Sequence, residues 1–517
     1  MQLLDTPSGM AKKHHAREIT LAESSFLDKT RPLVYLFINR RVDNPPVDKG
    51  AMEMFVGRVS ELAEMKQRWK RGQFEFGVVY GTRRIGKTTL LQEFIKGKNA
   101  FYFQARKADE KDNLTAFSRE FRKMQGALEH VTYNSFPDAF DSIVDFSKKQ
   151  RLVLIIDEIS CLCQKSKSLL SLLQFYIDGA FRDAYLMIIL SGSNRPFMEE
   201  ILMSPNSPLY QRATFQVHLE EMPFSEARQF VSDLPIDAQA QYLGLFGGHP
   251  YYLDMIDHAA SFQENVRRLL YSKYGTLLDA PEKIMPAGVS DQNMYNSVIL
   301  AVSRGMRFSK EIAEAVGVEN NYVAKYLSSL IQMQILEKRE SFIRNRKTNY
   351  YAVSDSLLRF WYRFIFDQRD VIQNGFGDVL FSEDQDGIED FIARSFEDVA
   401  LLWMEEQNRQ GRLPVYYGTI RGYTARNSRL GRSVELDGLA EGLGKNRNHL
   451  LVAECKCRKT PFTMNMLSHL QESVSLFDAY DVIDYYLISK SGFTDEVAAI
   501  SDPHIHRMTL HDLFQAS

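Results

Sequence analysis

The sequence predicts a multidomain α/β protein whose largest early unit is a parallel sheet covered by helices on both faces. Three observations carry this. Short apolar segments at 78–80, 101–103, 152–156, 186–190 and 215–219 alternate with helical stretches, the pattern of a parallel sheet. Two of these segments run directly into residues suited to phosphate chemistry. Beyond about residue 220 the pattern turns helical, and strands return only near the C-terminus.

The first of the two segments, 76–80, leads into Gly81-Thr82-Arg83-Arg84-Ile85-Gly86-Lys87-Thr88, and Thr89 opens the helical stretch 89–95. This is the G-x-x-x-x-G-K-[ST] spacing of a phosphate-binding P-loop, set between a strand and a helix. The glycines let the backbone turn tightly around a phosphate chain, and the helix start adds free N–H groups and the positive end of its dipole. In this reading Lys87 reaches the β- and γ-phosphates of ATP and Thr88 holds Mg2+.

The second segment, 151–156, is rich in β-branched residues and ends in Asp157 and Glu158. A continuous apolar run suits a central strand buried on both faces, and ligands sit at the carboxyl end of such strands. Asp157 is placed there to bind Mg2+ through water, and Glu158 to orient and deprotonate the attacking water. Phosphoryl transfer needs mostly positioning and charge neutralisation, so a lysine, a magnesium ion and one carboxylate base cover its essentials.

At 517 residues the chain exceeds one compact core. Its 44% hydrophobic and 25% charged residues are ordinary for a soluble globular protein, and no apolar run is long enough to cross a bilayer. The net charge of -3 gives no global attraction to nucleic acid, so such binding has to come from local patches. With no export signal visible, the expected location is the cytoplasm, without membrane contact. The four cysteines, Cys161, Cys163, Cys455 and Cys457, form two distant C-x-C pairs with no nearby histidine to complete a zinc site, so they read as inert thiols.

The expected organisation is an extension at 1–50, the sheet domain at 51–220, a helical lid at 221–285, a winged helix-turn-helix at 286–375 and a final α/β block at 376–517. The extension carries a basic patch, Lys12-Lys13-His14-His15, and one apolar run, 33–38, able to add a strand. Helices are expected at 223–234, 236–246 and 251–260, then at 293–303, 309–316 and 320–333. Strands at 335–342 and 348–353 then enclose the basic turn Arg344-Asn345-Arg346-Lys347. Three helices and a basic hairpin are the outline of a winged helix, and Lys325, Arg339, Arg344, Arg346 and Lys347 give it a local positive surface. Trp361, Tyr362, Phe364 and Phe366 read as core or interface aromatics. In the last block a helix at 394–408 precedes strands at 413–417, 433–439, 450–455 and 484–489.

With these motifs placed, the chain resembles the AAA+/STAND-type ATPases of archaea and bacteria, P-loop NTPases of the ASCE class. The resemblance is strongest to the subfamily that joins an ATPase module to a winged helix and a C-terminal restriction-endonuclease-like domain, and it covers residue 52 to about 500. It implies that Phe55-Val56-Gly57-Arg58 is the start motif, with Arg58 near the nucleotide. It also implies that Ser193 or Asn194 senses the γ-phosphate, and that Gly248-His249-Pro250 sets the nucleotide against the lid. Arg195 and Arg212 are the available arginine-finger candidates, with neither assigned.

The segments around Val434-Glu435-Leu436-Asp437 and Glu454-Cys455-Lys456-Cys457 resemble the D…E-x-K core of the PD-(D/E)XK nucleases. Strand alternation sends Glu454 and Lys456 to one face and the two thiols to the other. Asp437 and Glu454 can then grip Mg2+ while Lys456 polarises a water. By the same resemblance Glu397 adds a metal-binding carboxylate from the preceding helix, and Gln471 sits nearby. The expected function is an ATP-binding and ATP-hydrolysing protein acting on DNA, whose nucleotide state controls a Mg2+-dependent nuclease-like domain. The alternative is a signalling or assembly switch, an ATP-dependent homo-oligomer with a C-terminal domain that binds nucleic acid without cleaving it.

Overall fold

The computed structural model describes residues 55–515 except 128–130, 165, 167, 280–290, 341–348, 428–430, 476 and 478, together with the two-residue strand Val34–Tyr35. The patch at Lys12 to His15 and the turn residues Arg344, Arg346 and Lys347 lie outside the described residues.

Six parallel strands form the first sheet: β1 (Val34–Tyr35), β2 (Glu75–Gly81), β3 (Ala100–Gln104), β4 (Leu152–Asp157), β5 (Leu186–Gly192) and β6 (Phe215–Leu219). Their order is β1-β3-β4-β5-β2-β6. Every residue of β2, β4 and β5 is buried, in keeping with their mostly apolar runs. Alternate side chains feed two separate cores. Leu152, Leu154 and Ile156 pack with Phe101, Phe117 and Phe140, while Val153 and Ile155 pack with Leu90, Leu91 and Phe94 from the helix Lys87–Ile95. Since β5 lies between β2 and β4, the loops leaving these three strands meet at one carboxyl edge.

The elements after β6 share a third core that does not stop at a domain boundary. It runs from Phe224 through the helices Ile236–Phe246, Gln292–Ser303 and Asn320–Gln332 to the 25-residue helix Gln385–Arg409. A Cβ on Gly244 would lie 3.0 Å from the Ser395 Cβ, so two helices meet where small residues allow close approach. Ser356 Oγ donates to Gly244 O at 2.5 Å, and Ser225 N donates to Glu406 Oε2 at 2.8 Å. Trp361 is buried in this core with its indole N–H on Leu278 O at 2.8 Å. Tyr362 and Phe364 are buried beside it, as expected of core aromatics.

Three helices, Gln292–Ser303, Ser309–Val316 and Asn320–Gln332, precede the antiparallel hairpin β7 (Leu336–Glu340) and β8 (Asn349–Val353). The hairpin is not a free arm. Tyr350 is buried and donates its hydroxyl to Gly422 O at 2.5 Å, and in the loop before the helix Ser309–Val316 Arg307 bonds Glu435 at 2.5 Å and Thr424 at 2.9 Å. Arg339, expected on the positive surface, instead binds Glu337 at 2.7 Å and feels the charge of Asp398.

The last sheet contains β9 (Arg421–Asn427), β10 (Arg432–Glu441), β11 (His449–Lys456), β12 (Val482–Ser489) and β13 (Ile505–Thr509), in the order β13-β12-β11-β10-β9. β9, β10 and β11 are antiparallel neighbours, whereas β11, β12 and β13 run parallel. The expected strand at 413–417 is absent. That segment contains Pro414 and is flanked by glycines, and it forms only the bridge Tyr417 to Gly442. No helix among the described residues is long and apolar enough to cross a membrane.

The contact between the helices Ile236–Phe246 and Gln385–Arg409 tolerates no bulk. Gly244→Val is expected to cost about 1–3 kcal/mol through overpacking, read as a lower midpoint in chemical denaturation. An unchanged midpoint would show that the two helices separate readily.

Candidate functional site

The carboxyl edge of the first sheet gathers the residues singled out after β2, β4 and β5. Gly81 sits so close to β6 that a Cβ there would lie 2.4 Å from Leu219 O. Gly86 begins the helix Lys87–Ile95 at φ +91°, in the left-handed region that glycine tolerates. Arg84 holds φ +67° without that freedom, a strained conformation of the kind found at binding loops. Lys87 is buried, its ammonium donating to Gly81 O at 3.0 Å and Thr82 O at 2.7 Å. Burial pushes its pKa below the usual lysine range, against the pull of Glu158 and Asp157. Within the loop Arg83, Thr88 and Thr89 are exposed, and Ile85 is buried beneath it.

Asp157 is the hub of this edge. It is buried, and its Oδ2 accepts from Thr88 Oγ1 at 3.3 Å and from Tyr102 OH at 2.5 Å. Its Oδ1 accepts from Glu158 N at 3.0 Å. Glu158 turns out of β4 at φ +53°, and its carboxylate accepts from Ser193 N at 3.3 Å. Residues from the ends of β4 and β5 are thereby tied together. Asn194 instead caps the helix Arg195–Met203, accepting from Phe197 N at 3.2 Å.

Arg58, expected near the nucleotide, is buried and occupied. It donates to Ile85 O at 3.0 Å and Glu220 O at 2.6 Å, and its backbone N–H reaches Glu226 at 2.7 Å. From the other side Pro250 lies against the loop, 3.4 Å from where a Cβ on Gly86 would stand. His249 lies between Glu221 at 3.4 Å and Asp355 at 3.7 Å. Burial raises the Glu221 carboxyl, which His249 partly offsets. Arg84 rests over the Tyr251 ring at 4.8 Å, and Tyr252 OH donates to Asp355 at 3.3 Å. Asp355 caps the helix Ser356–Phe364, so contacts run from the loop into the shared core. Arg195 pairs with Glu199 at 2.5 Å. Arg212 grips Asp178 at 2.8 Å just before β6, at the opposite end of the strands, beyond reach of the loop in its own chain.

A second constellation forms on the last sheet. Asp437 lies at a bulge where the β10 register against β9 shifts between Leu436 and Leu439, a device that re-aims a side chain. Its Oδ2 accepts from Cys455 N at 2.7 Å. Lys456 pairs with Glu454. Burial first, then the Asp437 and Asp398 charges, push Glu397 up to about 8, and burial with Glu454 pushes Asp437 up to about 7. Burial disfavours the Lys456 ammonium, but Glu454 and Asp437 outweigh it and raise its pKa. Glu397, Asp437, Glu454 and Lys456 thus share one electrostatic neighbourhood. Cys455 is buried on the opposite face, while Gln471 is exposed. Among the described residues no three His, Cys, Asp or Glu side chains converge closely enough to hold a metal ion as they stand.

Comparison with known proteins fits the first edge. Residues 55–256 match a family described as an ATPase domain found predominantly in Archaea. An uncharacterized ATP-binding protein of Methanocaldococcus jannaschii is 38% identical over 45 residues, 9% of this chain and 76% of its own. The chain belongs to this archaeal ATPase family. Another relative, an uncharacterized protein of the same organism, is 26% identical over 364 residues, 70% of this chain and 80% of its own. Residues 361–468 of the ATPase match archaeal and bacterial proteins of unknown function. Among solved structures, a Walker-type ATPase of Pyrococcus abyssi is similar at 17% identity and a TM-score of 0.47, over 60% of this chain and 96% of its own.

Sequence reasoning missed Tyr102, Asp355 and Glu221. Each reads as an ordinary strand, turn or loop residue, and only the fold brings it beside Asp157 or His249. Burial and the Asp157 charge hold the Tyr102 hydroxyl far above the usual tyrosine range, so it remains a donor.

The second constellation has a pH signature. Asp437 and Glu397 titrate near 7 and 8 when folded, against about 4 in an unfolded chain. Folding therefore takes up protons between those values, and stability falls as pH rises through the window. Asp437→Asn should raise Tm at pH 8 and much less at pH 5 by calorimetry. An equal shift at both pH values would contradict the charge crowding.

Proposed function

We propose that this ATPase binds ATP with Mg2+ in the loop Gly81 to Thr88, hydrolyses it, and uses nucleotide state to control a Mg2+-dependent nuclease-like site that acts on DNA in the cytoplasm. The observation that carries the reading is the shared core: the lid helix Ile236–Phe246 and the helix bearing Glu397 pack as one body. A lid that shifts against the sheet therefore moves the second constellation with it.

In the first site the backbone N–H groups of Gly81 to Thr89 cradle the phosphates, and Lys87 swings from Gly81 O and Thr82 O to the β- and γ-phosphates. Thr88 and Asp157 fit a magnesium ion, since the hydroxyl already lies 3.3 Å from the carboxylate and phosphates and water complete such a shell. The ion, when bound, neutralises charge on the phosphates. Glu158 takes the proton of the attacking water, and Ser193 and Asn194 orient the γ-phosphate side. Arg58, through Ile85, and His249 with Pro250 set the loop against the lid. Glu158→Gln should keep ATP binding and lower kcat by about 100-fold or more, measured as phosphate release. Retained turnover would remove Glu158 as the base.

In the second site Glu397, Asp437 and Glu454, once drawn closer than they stand, would offer a hard oxygen donor set, and the crowding that raises two of these carboxyls is what a divalent cation would relieve. Lys456 is left to polarise the water. Purified protein with Mg2+ is expected to cleave DNA, and Asp437→Ala or Lys456→Ala to abolish the cleavage. Assays with single- and double-stranded DNA and RNA, with and without ATP, check both substrate and control. Full cleavage by both variants would reject the site.

A second reading is favoured by the docking of the hairpin through Tyr350, and of the loop before the helix Ser309–Val316 through Arg307, onto β9 and β10. Here the winged helix bridges domains, the C-terminal domain binds nucleic acid without cutting it, and ATP drives homo-oligomer assembly. ATP-dependent enlargement on sizing without cleavage of any nucleic acid distinguishes it.

A further inference from the structure

Strand β3 carries one polar group where packing asks for none. In Ala100-Phe101-Tyr102-Phe103 the ring of Tyr102 packs in the same core as Val153 and Ile155, a place that phenylalanine would fill equally well. β3 pairs with β4 so that Tyr102 stands opposite Ile155 and Gln104 opposite Asp157. Tyr102 and the β4 residues Ile155 and Asp157 lie on one face of the sheet, and the tyrosine ring is long enough to bring its hydroxyl alongside the carboxylate. There it donates to Oδ2 at 2.5 Å, the oxygen that also takes the Thr88 hydroxyl at 3.3 Å.

The Asp157 carboxylate is thus held by three donors from three elements. Glu158 N–H fixes Oδ1, whereas Tyr102 and Thr88 share Oδ2. A threonine hydroxyl that faces a cation must turn its lone pair outward and send its proton elsewhere. Oδ2 is the acceptor in place for that proton, provided the carboxylate keeps its rotation. Thr88 cannot fix that rotation and respond to the cation at once, but the buried Tyr102 can, because its contact does not depend on ligand.

We propose that Tyr102 is a positioning residue of the nucleotide–magnesium site, holding Asp157 in the orientation that lets Thr88 accept Mg2+. This rests on the reading of the loop Gly81 to Thr88 as the site of a nucleotide with magnesium. Partners one bond removed from a metal's ligands typically change its affinity by about 10–100-fold.

The test is Tyr102→Phe, which keeps the ring and removes only the hydroxyl. Binding of a fluorescent ADP analogue is followed as Mg2+ is titrated, and again in chelator. The midpoint in Mg2+ should rise about 10-fold, with metal-free binding unchanged. In an Asp157→Asn background the same substitution should add nothing further. An unchanged midpoint, with or without a lower Tm, overturns the proposal and leaves Tyr102 a packing residue. An additive effect in the Asp157→Asn background overturns it too. If the unaltered protein binds the analogue with no Mg2+ dependence at all, the underlying reading of the loop fails first and the proposal falls with it.

Discussion

The close approach of Gly244 to Ser395 fixes how the helices Ile236–Phe246 and Gln385–Arg409 pack. Where two helices touch through small residues, their backbones pack tightly and neither slides without opening a void. The helix Ile236–Phe246 is tied to the ATPase loop through Gly248, His249 and Pro250, and the helix Gln385–Arg409 carries Glu397. Among the described residues the helices from Phe224 onward thus share one core, and they meet the parallel sheet at the edge where the loop Gly81 to Thr88 lies. Arg58, Pro250 and the Arg84 to Tyr251 contact are the joints between them.

The two charged sites are built on opposite electrostatic terms. At the first, Asp157 is supplied with hydrogen-bond donors from Tyr102, Thr88 and Glu158, so a buried carboxylate is tolerated without a cation. At the second, carboxylates face one another with one lysine among them, and Glu397 and Asp437 hold their protons far above the usual range. At the first site hydrogen bonds balance the buried charge. At the second the carboxyl charge is left crowded.

Local geometry was legible from the chain. Gly81 to Thr88, Asp157 and Glu158 were recognisable because a tight turn, a helix start and a strand end need particular residues at short spacing. The same held for Glu454 and Lys456, where alternation along one strand separates them from Cys455 and Cys457. β9 escaped notice because Arg421-Gly422-Tyr423-Thr424 has no apolar run, and its pairing partner supplies what its own pattern lacks. Arg339 looked like part of a basic surface, yet the hairpin turns it toward Glu337 and Asp398. Trp361 and its neighbours read correctly as core because bulky aromatics have few other places to go.

By itself the sequence determined the order of the elements, the phosphate-binding loop, the acidic end of β4 and the paired residues of β11, all properties of segments a few residues long. Tertiary structure alone decided that Tyr102 bonds Asp157, that Asp355 meets His249, that Arg212 lies at the far end of the strands, and that the helices Ile236–Phe246 and Gln385–Arg409 share a core. Those facts depend on strand order and helix packing, which bring together residues up to hundreds of positions apart. No local pattern encodes such distances, because the energy that selects them comes from burial and hydrogen bonding summed over the whole fold.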